Sequence, residues 1–207
     1  MKSGSYLARV VFVAVAGMLP AGCLLKTATV PQRHFVLAPI PANDPAPALT
    51  EHESVGIGFV KMPSYLLGNS MAIRNGANEI EYIDDALWAE RLDQCFQQTL
   101  AANLSRLLPA DNIYLTDWGH EQVKLRVFIN VQQFDVDTGG HGTLVAHWRI
   151  LAQDSEIPVK SGTAQLARTG NPPRGKPEAI AATMSDLTAE FSRELAPAIR
   201  EPVVSGP

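Results

Sequence analysis

His120, His141 and His147 are the imidazoles with some prospect of metal or proton-transfer work, and Asp135 and Asp137 stand close to them in the chain. A zinc centre needs ligands at short, recurrent spacing, such as His-Glu-x-x-His on one helical face. These three histidines show no such spacing, so no metal site is expected. Thr138-Gly139-Gly140-His141-Gly142 has the glycines of a phosphate cradle, but a cradle opens a helix, whereas this run sits between two strand-like segments and reads as a hairpin loop. Asp84-Asp85 could form an acid–base pair, yet their place before a helical pattern makes them capping residues. Gly-x-Ser-x-Gly is absent, and no catalytic residue or cofactor is expected.

The cysteines differ in kind. Cys23 follows a start with Lys2 and Arg9 and no acid, an apolar run over 10–19, and Pro20-Ala21-Gly22. A basic start, a short apolar core and small residues before a cut make a signal peptide. A membrane-spanning helix needs about 20 apolar residues, more than the sequence offers here. Leu19-Pro20-Ala21-Gly22-Cys23 resembles the bacterial lipobox, with Leu four residues before Cys rather than three. That resemblance implies cleavage before Cys23, a lipidated cysteine and a soft tether. Leu24, in place of the aspartate that marks inner-membrane retention, implies the outer membrane. Several acyl chains would hold firmly, at about 0.8 kcal/mol per buried CH₂. Cys95 then has no partner and falls on the apolar stripe of a helix, where it reads as a small core residue.

Removing residues 1–22 from 207 leaves 185, enough for one domain, and the loss of Lys2 and Arg9 moves the formal charge from −4 to −6. A mildly acidic chain has no electrostatic basis for nucleic acid binding. With 46% hydrophobic and 18% charged residues, long disorder is not expected. The expected organisation is a signal peptide over 1–22, a lipidated tether over 23–33, one domain over 34–197 and a flexible tail over 198–207.

Within that domain, 34–40 reads as a strand and the proline-rich 41–53 as an extended crossing. Segment 54–63 alternates, with Val55, Ile57 and Phe59 on one face. Over 71–83 an Asn75-Gly76 pair separates two apolar runs, a hairpin signal. The period then changes: Trp88, Leu92, Cys95, Phe96, Leu100, Leu104 and Leu107 form one stripe, so a helix is expected over 84–108, capped by Asp84 or Asp85 and ended by Pro109. Val123, Leu125, Val127, Ile129 and Val131 make the inner face of a strand over 123–136. Leu144, Ala146, Trp148 and Ile150 do the same over 143–154, and a third strand over 159–168 pairs next. Ile180, Met184, Leu187, Phe191 and Leu195 line a second helix over 177–199, with Pro177 in its first turn. The expectation is an α+β two-layer sandwich, a largely antiparallel sheet with both helices on one face.

Pro63, Tyr65, Leu66, Arg74, Trp88-Ala89-Glu90, Leu92 and Asn103-Leu104-Ser105 follow an order that resembles the auxiliary lipoproteins of Pqi-type ABC transport systems. The segments His34–Ile40 and Leu144–Asp154 also suit that family, so the resemblance covers most of the chain after Cys23. Two places depart from it: Leu67-Gly68-Asn69-Ser70 replaces the usual turn after Tyr-Leu, and Arg91 stands where proline often follows Trp-Ala-Glu. The resemblance implies a non-enzymatic subunit on the periplasmic face of the outer membrane. Its implied partner is an MCE-domain protein that bridges the periplasm and carries lipid, with homo-oligomerisation around it and a contribution to membrane integrity. Tyr65, Arg74 and Trp88 are the candidate partner contacts, and Cys23 is the lipidation site. The competing expectation is a free-standing lipid- or small-ligand-binding lipoprotein with a pocket between helices and sheet.

Overall fold

The computed structural model describes residues 31–41, 54–108, 113–115, 118–119 and 123–200. Strands β1 (Arg33–Phe35), β3 (Ser70–Asn75) and β4 (Glu79–Trp88) form a small sheet in the order β1-β4-β3. Strands β2 (Val55–Lys61), β5 (Ile113–Leu115), β6 (Leu125–Val136), β7 (His141–Ala152) and β8 (Pro158–Thr169) form a larger sheet, ordered β5-β2-β6-β7-β8. Helices α1 (Leu92–Leu107) and α2 (Pro177–Arg200) pack on each other and on one face of the larger sheet. The α+β class, with two helices on a mostly antiparallel framework, therefore holds, although the strands divide into two sheets rather than one. The β6-β7-β8 meander is antiparallel, whereas β2 joins β5 and β6 in parallel.

The core is the space between helices and sheet. Phe96 of α1 meets the Phe134 ring edge-on at 5.3 Å and Phe191 of α2 at 5.9 Å. Leu100, Leu104, Val127, Leu144, Ile180 and Leu187 close around them, all fully buried. Helix α2 approaches β7 so closely that a Cβ on Gly142 would lie 2.6 Å from the Thr183 side chain. The β3–β4 hairpin turns at Gly76-Ala77-Asn78, with Gly76 at φ +75°, where a glycine costs nothing sterically.

Four expectations need correction. The helix begins at Leu92, not at Asp84, because β4 continues through Asp84 and Asp85 to Trp88. Its register with β1 (Ala86, Leu87 and Trp88 opposite Arg33, His34 and Phe35) supplies backbone partners that local helical spacing cannot offer. Arg91 takes the N-cap position at φ −56° without a side-chain cap bond, an angle that proline also adopts. Asp93 in the first turn accepts from Gln94 N at 3.1 Å and pairs with Arg91 at 2.8 Å, on the side of the helix dipole that favours an anion.

The first strand is three residues long, and the rest of 34–40 is a strap. Ala38 N donates to Ser185 Oγ (2.9 Å) on α2 and Ile40 N to Asn103 Oδ1 (2.7 Å) on α1. Phe59 does not face the core: a register shift between Ile57 and Val60 buries Val60 and leaves Phe59 80% exposed, the local reversal that a bulge produces. Gln97 Nε2 holds this irregular stretch through Ile57 O (2.9 Å) and Gly58 O (2.8 Å). Finally, α2 runs through Pro197 to Arg200 with Ile199 buried, past the expected start of the tail. Cys23, the signal and tether residues 1–30, the crossing 42–53, Pro109, His120 and residues 201–207 lie outside the described residues.

Candidate functional site

A second register shift, between Val131 and Gln133 of β6, decides where the most buried charge among the described residues falls. Strict alternation from Val123 would aim Asp135 at the core. The bulge turns Phe134 inward instead, against Phe96, and carries Asp135 to the opposite face. Asp135 is nevertheless only 2% exposed, because the turn before β3 and β3 itself meet it there.

Its carboxylate is fully engaged. Arg74 Nε donates to Oδ1 at 3.0 Å and Arg74 Nη2 to Oδ2 at 2.6 Å, a two-pronged ion pair. Tyr65 OH donates to Oδ2 at 2.8 Å and Gln133 Nε2 to Oδ1 at 3.0 Å. Burial alone pushes the Asp135 carboxyl up, but the donors Arg74, Gln133 and Tyr65 together outweigh it and hold the group below its usual range. Burial and the bond to Asp135 push the Tyr65 hydroxyl above its ordinary value, and the bond to Asp135 raises the Arg74 guanidinium further. An anionic Asp135, a cationic Arg74 and a neutral Tyr65 are thus locked in one charge state near neutral pH. That suits a fixed joint between the small and large sheets rather than proton transfer.

Each local geometry has a cause. Tyr65 sits in a 3-10 turn over Ser64–Leu66, closed by Leu66 N to Pro63 O at 3.0 Å with Leu66 buried beneath it. Arg74 is two residues before the hairpin turn, and its own carbonyl accepts from Thr138 N at 3.3 Å. The β6–β7 loop is built on Asp137, whose Oδ1 accepts from Gly139 N and His141 N, each at 2.8 Å. This loop joins two strands, as its glycines suggest. His141 faces Asp137 at 3.1 Å, whereas His147 faces Thr163 Oγ1 at 2.8 Å. Among the described residues no group of three or more His, Cys, Asp or Glu side chains could hold a metal.

The expected site residues therefore separate. Tyr65 and Arg74 come together on one carboxylate. Trp88 lies apart at the end of β4, 3% exposed in the core, with its backbone N donating to Asn69 O at 2.7 Å. Its indole anchors packing and offers no surface to a partner. Sequence alone marks Asp135 only as a neighbour of the histidines and Gln133 not at all, because strand alternation conceals a bulge; the available signal is two polar residues, Gln133 and Asp135, at inward positions of an otherwise apolar face. Asn103 was singled out only by its motif. It is fully buried, accepting from Ile40 N and donating to Ser192 Oγ at 3.0 Å, so one amide ties the strap and both helices. Cys95 is buried on α1, and burial pushes its thiol up, away from nucleophilic character.

Residues 35–196 match the model of a protein family described as the ABC-type transport auxiliary lipoprotein component. The chain belongs to this family. It is 26% identical over 147 residues to the intermembrane transport lipoprotein PqiC of Escherichia coli (strain K12), covering 70% of this chain and 75% of that protein. The PqiC protein of Shigella flexneri matches to the same extent. The fold of this auxiliary lipoprotein is also that of protein XCC0632 from Xanthomonas campestris, at a TM-score of 0.67 and 15% identity over 79% of this chain and 92% of that one. A second solved structure, of an uncharacterized protein, aligns at a TM-score of 0.66 and 20% identity, over 82% and 99% of the two chains. The family is one of transport auxiliaries, so the chain is a lipoprotein component of a transport system. Among the described residues no helix of this auxiliary lipoprotein is long and apolar enough to cross a membrane.

Proposed function

We propose that this chain is a non-enzymatic subunit fastened by acylated Cys23 to the periplasmic face of the outer membrane. There it docks the distal end of a periplasm-spanning MCE-domain protein in an ABC lipid transport system, several copies associating, and so contributes to membrane integrity. The lipobox-like Leu19–Cys23 run and Leu24 support the anchor and its address. The PqiC relatives, by their name lipoproteins of intermembrane transport, support a place between two membranes. Tyr65 and Arg74 act in this reading by fixing the β3–β4 hairpin to the large sheet through Asp135, so that the domain presents one rigid outline to its partner.

The observation that carries docking over carriage is the filled interior. A carrier of this architecture would hold its ligand between helices and sheet, where Phe96, Phe134 and Phe191 meet ring to ring and are fully buried. The test is recovery of the tagged mature protein from envelopes in mild detergent. An MCE-domain protein is expected to co-purify with it. A monomer that brings bound lipid and no such protein would refute docking and establish the carrier.

A further inference from the structure

Among the described residues, the helix-free face of the large sheet is covered at one end and bare at the other. At the covered end Arg74 and Tyr65 sit on Asp135. Seven residues back along β6, about 23 Å at strand rise, Phe128 lies on the same face beside an open depression of about 610 Å³. The bulge in β2 sets Phe59 at its rim, 80% exposed. Arg149 stacks over the Phe128 ring at 5.2 Å from its centroid. Lys61 and His147 are exposed beside them. Among the described residues no aspartate or glutamate lines this depression, and neither Lys61 nor Arg149 has an ion pair. In a chain of formal charge −4, this is a cationic and aromatic hollow.

The complementary surface is on the same molecule. The outer flank of the β3–β4 hairpin carries Glu79 and Glu81, both exposed. Their carboxylates share one neutral donor, Asn75 Nδ2, at 3.0 and 2.6 Å, and have no cation among the described residues. Tyr82 on the same strand is 50% exposed, and Asp84 is exposed beyond it. The turn at Gly76–Asn78 is exposed, and among the described residues β1 pairs only with Ala86–Trp88, so Glu79 and Glu81 form an unpaired acidic edge. Because hairpin and hollow lie at opposite ends of the β6–β7 pair, one chain cannot satisfy its own charges.

We propose that the Phe59–Phe128–Arg149–Lys61 hollow receives the Glu79–Glu81 edge of the β3–β4 hairpin of a second copy of this chain. Charge is complementary on both sides, and the aromatic floor gives the contact an apolar centre within a polar rim. Each copy has one hairpin and one hollow, so the contact can repeat from copy to copy. This inference rests on the part of the proposed function that copies associate, and not on the identity of the bridging partner.

The test uses the mature lipoprotein in detergent, sized by native mass spectrometry and sedimentation. Wild type is expected to self-associate, more weakly as salt rises. Lys61→Glu with Arg149→Glu, and separately Glu79→Lys with Glu81→Lys, should each weaken association at least about tenfold, while circular dichroism and melting stay as in wild type because all four side chains are solvent-facing. All four substitutions in one chain should restore association. A second measurement is disulfide crosslinking of Lys61→Cys with Glu81→Cys in one chain, expected to give a ladder of covalent multimers. A wild type that remains monomeric, an association indifferent to both charge reversals, or a quadruple variant no better than the doubles would overturn the proposal. The same preparations judge docking separately: a wild type that associates through this contact but captures no MCE-domain protein refutes docking and leaves the contact standing.

Discussion

Removing Arg74 should loosen the joint between the two sheets, and its cost can be worked out from the geometry. Asp135 accepts four hydrogen bonds, two of them from Arg74 at 3.0 and 2.6 Å, while remaining 2% exposed. Arg74→Ala leaves the carboxylate with only Tyr65 and Gln133. Breaking a buried ion pair by deleting one partner costs about 3–5 kcal/mol. The Arg74 side chain is 23% exposed, so water partly screens the pair and the lower end, about 3 kcal/mol, is expected. For a chain of this size that lowers Tm by roughly 6–12 °C. Asp135→Ala combined with Arg74→Ala should cost less than the sum of the singles, with a coupling of about 2 kcal/mol, because the double variant buries no orphan charge. Urea denaturation followed by circular dichroism supplies the cycle. The pH dependence gives a second handle. The folded-state pKa of Asp135 lies below the unfolded value of about 3.9, so its contribution is complete above that pH and is lost as pH falls through the folded value. Wild type should therefore lose stability in acid more steeply than Asp135→Asn. A loss under about 1 kcal/mol for Arg74→Ala, or strict additivity in the cycle, would refute the claim that this cluster is a buried joint.

Other expectations follow from single contacts. Cys23→Ser should abolish acylation, seen as a lower mass, and release the protein into the soluble periplasm; an unchanged mass and membrane fraction would defeat the anchor. Asn103→Ala removes the acceptor of the buried Ile40 N–H, which costs about 1–3 kcal/mol. Hydrogen exchange should show Ala38 and Ile40 losing protection before the helices do, and unchanged protection would refute the strap. Gln97→Ala frees the Ile57 and Gly58 carbonyls and should cost about 1–2 kcal/mol, with added exchange confined to β2 and α1. Cys95, being buried on α1, should resist alkylation in the folded protein and react fully in urea.

The two helices and the long meander were legible because their apolar residues obey one period for many turns, and burial rewards that period wherever the partner lies. The misplaced helix start and the misread strand faces share one physical reason: a change of phase is set by a neighbour distant in sequence. Asp84, Asp85 and Trp88 fit a helix locally. They become strand because Arg33–Phe35, some fifty residues earlier by the numbering, pairs beside Ala86–Trp88, and Asp84 and Asp85 are carried between that pairing and the one β3 makes at Ile83. Phe59 lies within a bulge and Asp135 just past one, so alternation places both on the wrong face. At Asp135 the reversed face is where a turn and a hairpin dock; at Phe59 it is an aromatic ring left in solvent. Bulges bend a sheet and re-aim side chains, so a residue that violates its strand's pattern is the place to search first. The motif residues support the same argument. Tyr65, Arg74 and Asn103 read in sequence as separate markers of a family. In the fold none is a free surface feature: two converge on one carboxylate and the third ties a strap to both helices. They keep the outline of the domain fixed, and the surfaces that meet other molecules must be sought on the faces those joints leave open.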